Sequence, residues 1–429
     1  MLLDSYLCRP PFRVHQSFVF TILSLCAPST LAADLAVSNV SLSWPQWGGP
    51  TRDFKVTAGE LADHWPDDGP PRLWSRPLGE GYSAIVADAD NLYTMYSRDD
   101  KEIVVALRAD TGETIWEYAY PAPMHPEQNL EYGRGPNATP LLLDGKLYTL
   151  GFTGLLHCLD APTGRVLWKS DLVADLGAKP QFYGFSNSPL ACDGKIITLV
   201  GGPQCGVAAL NAADGSVVWK TPYYEISHAA PIVINVDGQD QIVFFSTNEV
   251  IGIDAHSGAR LWSSIVADFC KTNCTAALWG PDNLLWASTK GVGGTRVLKL
   301  SRDGDQTNVK EVWCDRKIRV YHWNAIRVGD FVYTSIGDTG NFLATINIQT
   351  GEVVERLRGY ERTNGILAGD KLILLDGAGR LLLTHPTSKG LDIVSTARIF
   401  ESRTWTAPTL VGTRLYVRDR EIITALDLQ

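Results

Sequence analysis

The sequence predicts an all-β protein: an eight-bladed β-propeller of four-stranded antiparallel blades, its ring closed by an N-terminal strand. Three observations carry that expectation. A Gly-x-x-x-Trp segment recurs four times, eight polar-then-small dipeptides recur at intervals of 40 to 54 residues, and the last repeat runs out of chain one strand early.

At the start of the chain, Arg9, Arg13 and His15 precede the apolar run SFVFTILSLCA, which is too short to span a bilayer and ends near the small residues of STLAA. Residues 1–33 therefore read as an export signal, cut around Ala32 to Asp34, for a periplasmic or extracellular protein. Lipidation is not expected, because Leu25 precedes Cys26 where a lipidated leader resembles a small residue followed by Cys. No other run approaches the length of a membrane span. Residues 34–71 form a Pro/Gly-rich arm, expected on the outside of the ring and anchored there by Trp44, Trp47 and Trp65. The propeller is expected over 72–429.

Inside the propeller, ADTGETIWEY (109–118), APTGRVLWKS (161–170), AADGSVVWKT (212–221) and AHSGARLWSS (255–264) each place a Trp four residues after a Gly. The pairs are Gly112 with Trp116, Gly164 with Trp168, Gly215 with Trp219 and Gly258 with Trp262. The Gly permits the positive φ of a bulged hairpin, and the Trp, on the outer strand, fills the gap between neighbouring sheets. A fifth unit keeps Trp313, whereas the sixth and seventh keep their turns and lose the Trp. The segment 137–170 shows one whole unit: turn signals every 8–12 residues separate short runs rich in Leu, Val, Ile and Tyr, the pattern of antiparallel strands. The final unit supplies three strands before Gln429, so RLWSRPL at 72–78, with Trp74, is expected to complete it and remove an exposed sheet edge.

The pattern in CLDAPTGRVLWK and VVALRADTGETIWE resembles the tryptophan-docking repeat of the pyrroloquinoline-quinone-like propellers, a superfamily that includes quinoprotein alcohol dehydrogenases and BamB-type envelope proteins. For the dehydrogenase branch the resemblance implies an axial quinone with calcium, an Asp base, a stacking Trp and a disulfide between adjacent cysteines. This sequence has no adjacent Cys pair, no C-x-x-C-H haem site and no Asp at any of the eight repeat starts. The expectation is an exported, monomeric, BamB-like binding or scaffold protein with no catalytic residue, cofactor or metal; the alternative is a PQQ/calcium-dependent oxidoreductase. A formal charge of −9 with no basic run argues against nucleic acid. GVGGTR at 291–296 lies between strands with no following helix, so it reads as a hairpin rather than a phosphate loop.

Each unit starts beside the axis, which places Ser83, Asn137, Asn187, His228, Asn273, Asn324, Asn364 and Thr406 in a polar ring at one mouth of the channel. Tyr132, Arg134, His322, Trp323, Arg362, Arg403 and Trp405 fall within a few residues of ring members and add aromatic faces and cationic donors suited to an anionic or peptide-like ligand. The partner is expected to be an envelope protein or a small ligand. Cys270 and Cys274 share one inter-blade loop and are spaced to bridge; two such ligands alone do not define a metal site.

Overall fold

The computed structural model describes residues 42–266, 272–337 and 339–429; the expected signal segment and Cys270 fall outside the described residues. Eight four-stranded antiparallel units follow one another along the chain. Blade 1 consists of Val86–Ala87, Asn91–Arg98, Lys101–Arg108 and Thr114–Pro121, and blade 2 of Leu141–Leu143, Lys146–Leu150, Leu155–Asp160 and Val166–Asp171. Blades 3 to 7 repeat the plan, their inner strands at Leu190–Cys192, Ile232–Val236, Leu278–Trp279, Ile326–Val328 and Asn364–Ala368. In blade 8, Thr409–Val411, Arg414–Arg418 and Ile422–Asp427 are joined on the outside by Arg72–Pro77, with Trp74 opposite Ala425 and Ser75 opposite Thr424. The expected ring closure is the observed one.

The repeated Gly and Trp meet across blade boundaries. The ring of Trp74 lies on Gly112, that of Trp116 on Gly164, that of Trp168 on Gly215 and that of Trp219 on Gly258, so that a Cβ at any of these glycines would stand 2.5 to 2.7 Å from the next indole. Each Gly also has φ between 71° and 76°, a second reason for its identity. Three of these indoles donate onward, Trp74 to the carbonyl of Ala109 (3.1 Å), Trp116 to Ala161 (2.9 Å) and Trp168 to Ala212 (3.2 Å). Trp313 repeats the contact on Gly351 and donates to Ile348 at 2.7 Å. Trp262 departs from it: its ring turns onto Gly252 of its own blade and donates to Gln241 Oε1 at 2.7 Å. The next blade has in place of a short Thr-Gly turn a long outer hairpin, Thr295–Asp303 with Gln306–Asp315, and offers no glycine seat.

The arm corrects an expectation. Residues 44–56 do not lie outside the ring; they fill its central channel. Trp44 bridges Ala87 on the inner strand of blade 1 through both backbone bonds (2.8 and 2.9 Å), Pro45 accepts from Leu142 of blade 2, Arg52 donates to the carbonyls of Pro189 and Ser188 at blade 3, and Lys55–Val56 pairs in parallel with Leu367 and Ala368 of blade 7. The inner strands are short and leave unpaired backbone facing the axis, which the arm satisfies. Gly48 and Gly49, at φ 77° and 78°, turn the segment back on itself where a side chain would strike Arg52 backbone or the Trp44 ring. The chain then leaves beneath blade 8, where Gly59 and Ala62 bond the carbonyls of Gly412 and Leu428, and Trp65 settles against blade 7 through Ser395.

Candidate functional site at the axial mouth

The polar ring forms, and its members connect neighbouring blades. Asn137 donates to the carbonyl of Tyr183 (3.0 Å), Asn187 to those of Ser227 (2.7 Å) and Ala229 (2.9 Å), Asn364 to that of Trp405 (3.0 Å) and Thr406 to that of Tyr82 (3.4 Å). Asn324 exchanges two bonds with Gly365, both 2.9 Å, and its own N–H meets Asn364 Oδ1 at 3.0 Å. Asn273 donates back to Ser246, Ser83 is fully buried, and His228 Nδ1 lies 2.8 Å from Ser186 Oγ. At six of the eight blade starts the side chain thus meets a carbonyl on a neighbouring blade, which is why short amides and hydroxyls recur there, whereas His228 meets a hydroxyl and the buried Ser83 hydroxyl has no partner among the described residues.

Above the ring is a cavity of about 190 Å³. Tyr132, Tyr183, His322, Trp405 and Tyr82 wall it, with ring-centroid separations of 5.5 Å from Tyr132 to both Tyr183 and Trp405, 5.4 Å from His322 to Trp405 and 5.8 Å for the stacked Tyr82–Trp405 pair. The arm supplies the floor: Trp47 and Phe54 meet edge to face at 4.8 Å and both line the cavity. The loops at 121–136 and 175–186, which carry Tyr132 and Tyr183, are held together by the Asn129 N–H on the Phe182 carbonyl.

Arg362 and Arg403 place their guanidinium carbons 4.6 and 4.3 Å from the centroid of Trp405, and Lys290 Nζ stands 4.3 Å from that of Tyr321. Burial lowers the His228 imidazole to about 4; burial and then the nearby Arg362 and Lys290 lower that of His322 to about 3, so both are neutral at pH 7. Trp323 sits in the wall as packing, 2% exposed, with its ring on Gly340 and its N–H on the Ser335 carbonyl. Arg134 is not brought to the cavity: it pairs with Asp100 at 2.6 Å in a separate charged cleft with Glu80, Glu131 and Arg420. Sequence reasoning missed Trp47, Phe54, Tyr82, Tyr183 and Tyr321. Tyr183 and Tyr321 lie in the loops 175–186 and 315–323 that line the mouth, and nothing in the repeat assigns the arm to the channel.

A family model described as outer membrane protein assembly factor BamB matches residues 100–357, more than half of the chain. The chain belongs to this family of PQQ-like propellers. Within the family it is 23% identical over 297 residues to outer membrane protein assembly factor BamB of Yersinia pestis, covering 62% of this chain and 68% of that protein. It is also 28% identical over 235 residues to the quinohemoprotein alcohol dehydrogenase of Comamonas testosteroni, covering 50% of this chain and 31% of the dehydrogenase. The chain thus spans about a third of the length of that dehydrogenase. The crystal structure of the Comamonas enzyme aligns over 92% of this chain and 81% of that one, with a TM-score of 0.65 at 13% identity, a likeness of fold.

The dehydrogenases of this family imply a quinone and calcium. Calcium takes six to eight oxygen ligands, carboxylates prominent among them. The cavity lining contains no Asp or Glu, and the Oδ1 atoms of Asn324 and Asn364 already accept backbone N–H groups. Among the described residues no three His, Cys, Asp or Glu side chains gather as a metal site. The donor set does not fit calcium.

Proposed function

We propose that this propeller is an exported, non-catalytic binding or scaffold protein of the cell envelope that holds a peptide segment or small ligand at its axial mouth. The observation that carries the reading is the cavity itself: closed below by Trp47 and Phe54, walled by aromatic rings, flanked by arginines and free of carboxylates. Burial holds the His228 and His322 imidazoles well below their ordinary value, which makes them weak bases, and the Asn324 amide is already bonded. The likeness to BamB supports a protein-binding role, and among the described residues no helix is long and apolar enough to cross a membrane.

A photocrosslinking side chain placed at exposed Phe182, beside the mouth, is expected to capture a partner or ligand in the native cell, whereas one at exposed Val394, on an outer strand, is not. Adducts at Val394 with none at Phe182 refute the axial site. The second reading, a quinone-dependent oxidoreductase, is favoured by the Comamonas relative. Retention of a chromophore and dye-linked alcohol oxidation after incubation with the quinone and calcium would establish it in place of the first.

A further inference from the structure

The chemistry of the mouth narrows what it can hold. Ligand pockets for drug-sized molecules run to about 300–1,000 Å³, and this one has about 190 Å³, room for one ring and its substituent. Its floor and walls offer aromatic edges and faces from Trp47, Phe54, Tyr132, Tyr183 and Trp405. Rings of this kind attract another ring in edge-to-face or offset geometry. The buried Tyr82 hydroxyl has no hydrogen-bond partner and belongs to the same wall.

Cations predominate at the rim. No charged side chain lines the cavity itself, but Arg362, Arg403 and Lys290 each stand on a wall aromatic at its rim, and among the described residues neither Arg362 nor Arg403 forms an ion pair. Glu131, the acid next to Tyr132, lines the adjoining charged cleft and also acts on the hydroxyls of the wall residues Tyr132 and Tyr183. A cationic ligand would face three like charges, and a neutral one would leave both guanidinium forks without an anion. Resting on the ligand-binding reading above, we propose that the pocket takes a single aromatic ring bearing a carboxylate, with the ring on the Trp47–Phe54 floor and the anion at Arg362 and Arg403. Free aryl carboxylic acids and a C-terminal aromatic residue of a polypeptide share that chemistry.

The full chain is titrated with N-acetylphenylalanine, its amide, acetate and glucose, reading tryptophan fluorescence and saturation transfer to the ligand protons. The acid is expected to bind about tenfold more tightly than the amide, the usual scale for hydrogen bonds to a charged group, and acetate and glucose not at all. Arg362→Gln with Arg403→Gln should reduce the acid to the affinity of the amide and leave the amide unchanged. Arg403→Gln alone, at an exposed position, should give part of that loss if the double variant does not fold. Equal binding of acid and amide, an undiminished double variant, or binding of glucose alone overturns the proposal. A peptide ending in Phe, compared with one carrying the same Phe internally, separates the polypeptide source from the free acid. Failure of every aromatic acid beside intact crosslinks from Phe182 sinks this inference and leaves the mouth as a protein-binding site; failure of the crosslinks beside tight acid binding does the reverse.

Discussion

The guanidinium of Arg418, on blade 8, donates to the carbonyl of Ser83, at the start of blade 1, across a distance of 3.1 Å. Neither residue is exposed at all, and the same guanidinium reaches Thr94 Oγ1 (3.2 Å) and the carbonyls of Met95 (2.8 Å), Gly79 (3.2 Å) and Asp419 (3.2 Å). Burial lowers the guanidinium to about 10, so it remains charged at neutral pH. One planar fork with five N–H donors thus ties the last blade to the first. Arg418→Met should destabilise the fold by roughly 2–4 kcal/mol, because several buried carbonyls lose their donor at once. Arg418→Lys should recover only part of this, since an ammonium cannot span the same acceptors. Urea unfolding with unchanged m-values would establish both; a loss below about 0.5 kcal/mol, the scale of a surface substitution, would show that the seam is held elsewhere.

The floor of the cavity is also part of the core. Phe54 is 3% exposed, and Phe54→Ala is expected to cost about 3–5 kcal/mol in stability. It should also make the channel segment the first to be cut in limited proteolysis, within residues 44–56. Protection of that segment equal to the parent protein would mean that its backbone bonds alone keep it seated.

At the seam between blades 2 and 3, Trp168 is 9% exposed and rests on Gly215. Trp168→Ala should cost roughly 3–5 kcal/mol. Gly215→Ala forces a Cβ to within 2.7 Å of the ring at φ 76° and should also destabilise. In the double variant the steric part of the glycine effect vanishes, so the two losses should fall short of additivity in a double-mutant cycle.

The pH dependence has two opposed arms. His157, like His228, is held at about 4 by burial, and His322 at about 3, against an ordinary 6.5. As pH falls below 6.5 the unfolded chain takes up protons that the folded one refuses, so stability that is fully present above 6.5 is lost progressively toward pH 4. Glu102, 1% exposed and bonded to the Phe152 N–H at 2.7 Å, is pushed by burial up to about 7 from an ordinary 4.5. Its contribution is full below 4.5 and is lost as pH rises through 7. Between pH 4.5 and 6.5 the three imidazoles outweigh the one carboxyl, so Glu102→Gln should steepen the rise in Tm over that window and remove the loss between 6.5 and 7. An unchanged profile would assign the slope to other groups.

The ring was legible because it is written repeatedly. A Gly that must accept both a positive φ and an indole on its α-carbon cannot be replaced quietly, so Gly112, Gly164, Gly215 and Gly258 announce the blades beside their Trp partners. The polar blade starts were legible for a related reason: most of these side chains meet a neighbouring carbonyl in a crowded place. What repetition does not encode was missed. The WPQWGGPTRDF segment occurs once, and its place in the channel depends on unpaired backbone of inner strands in other repeats, from Ala87 to Leu367. Trp262 keeps the spacing but not the contact, because its docking seat belongs to the next blade and that blade lacks it. Arg134 was placed near the mouth by its sequence neighbours, whereas Asp100 holds it in the adjoining cleft.

The arm in the channel also bears on the order of events during synthesis. Residues 44–56 leave the ribosome early, yet their partners include Leu367 and Ala368, and the following turn needs Gly412 and Leu428. Ser75 must find Thr424 before the ring is complete. Contacts this distant in sequence carry a loop-closure cost that delays them. The nascent chain therefore holds its aromatic head, Trp44, Trp47 and Phe54, without its final seat until almost the last residue has been made, and seating that head is among the closing steps of folding.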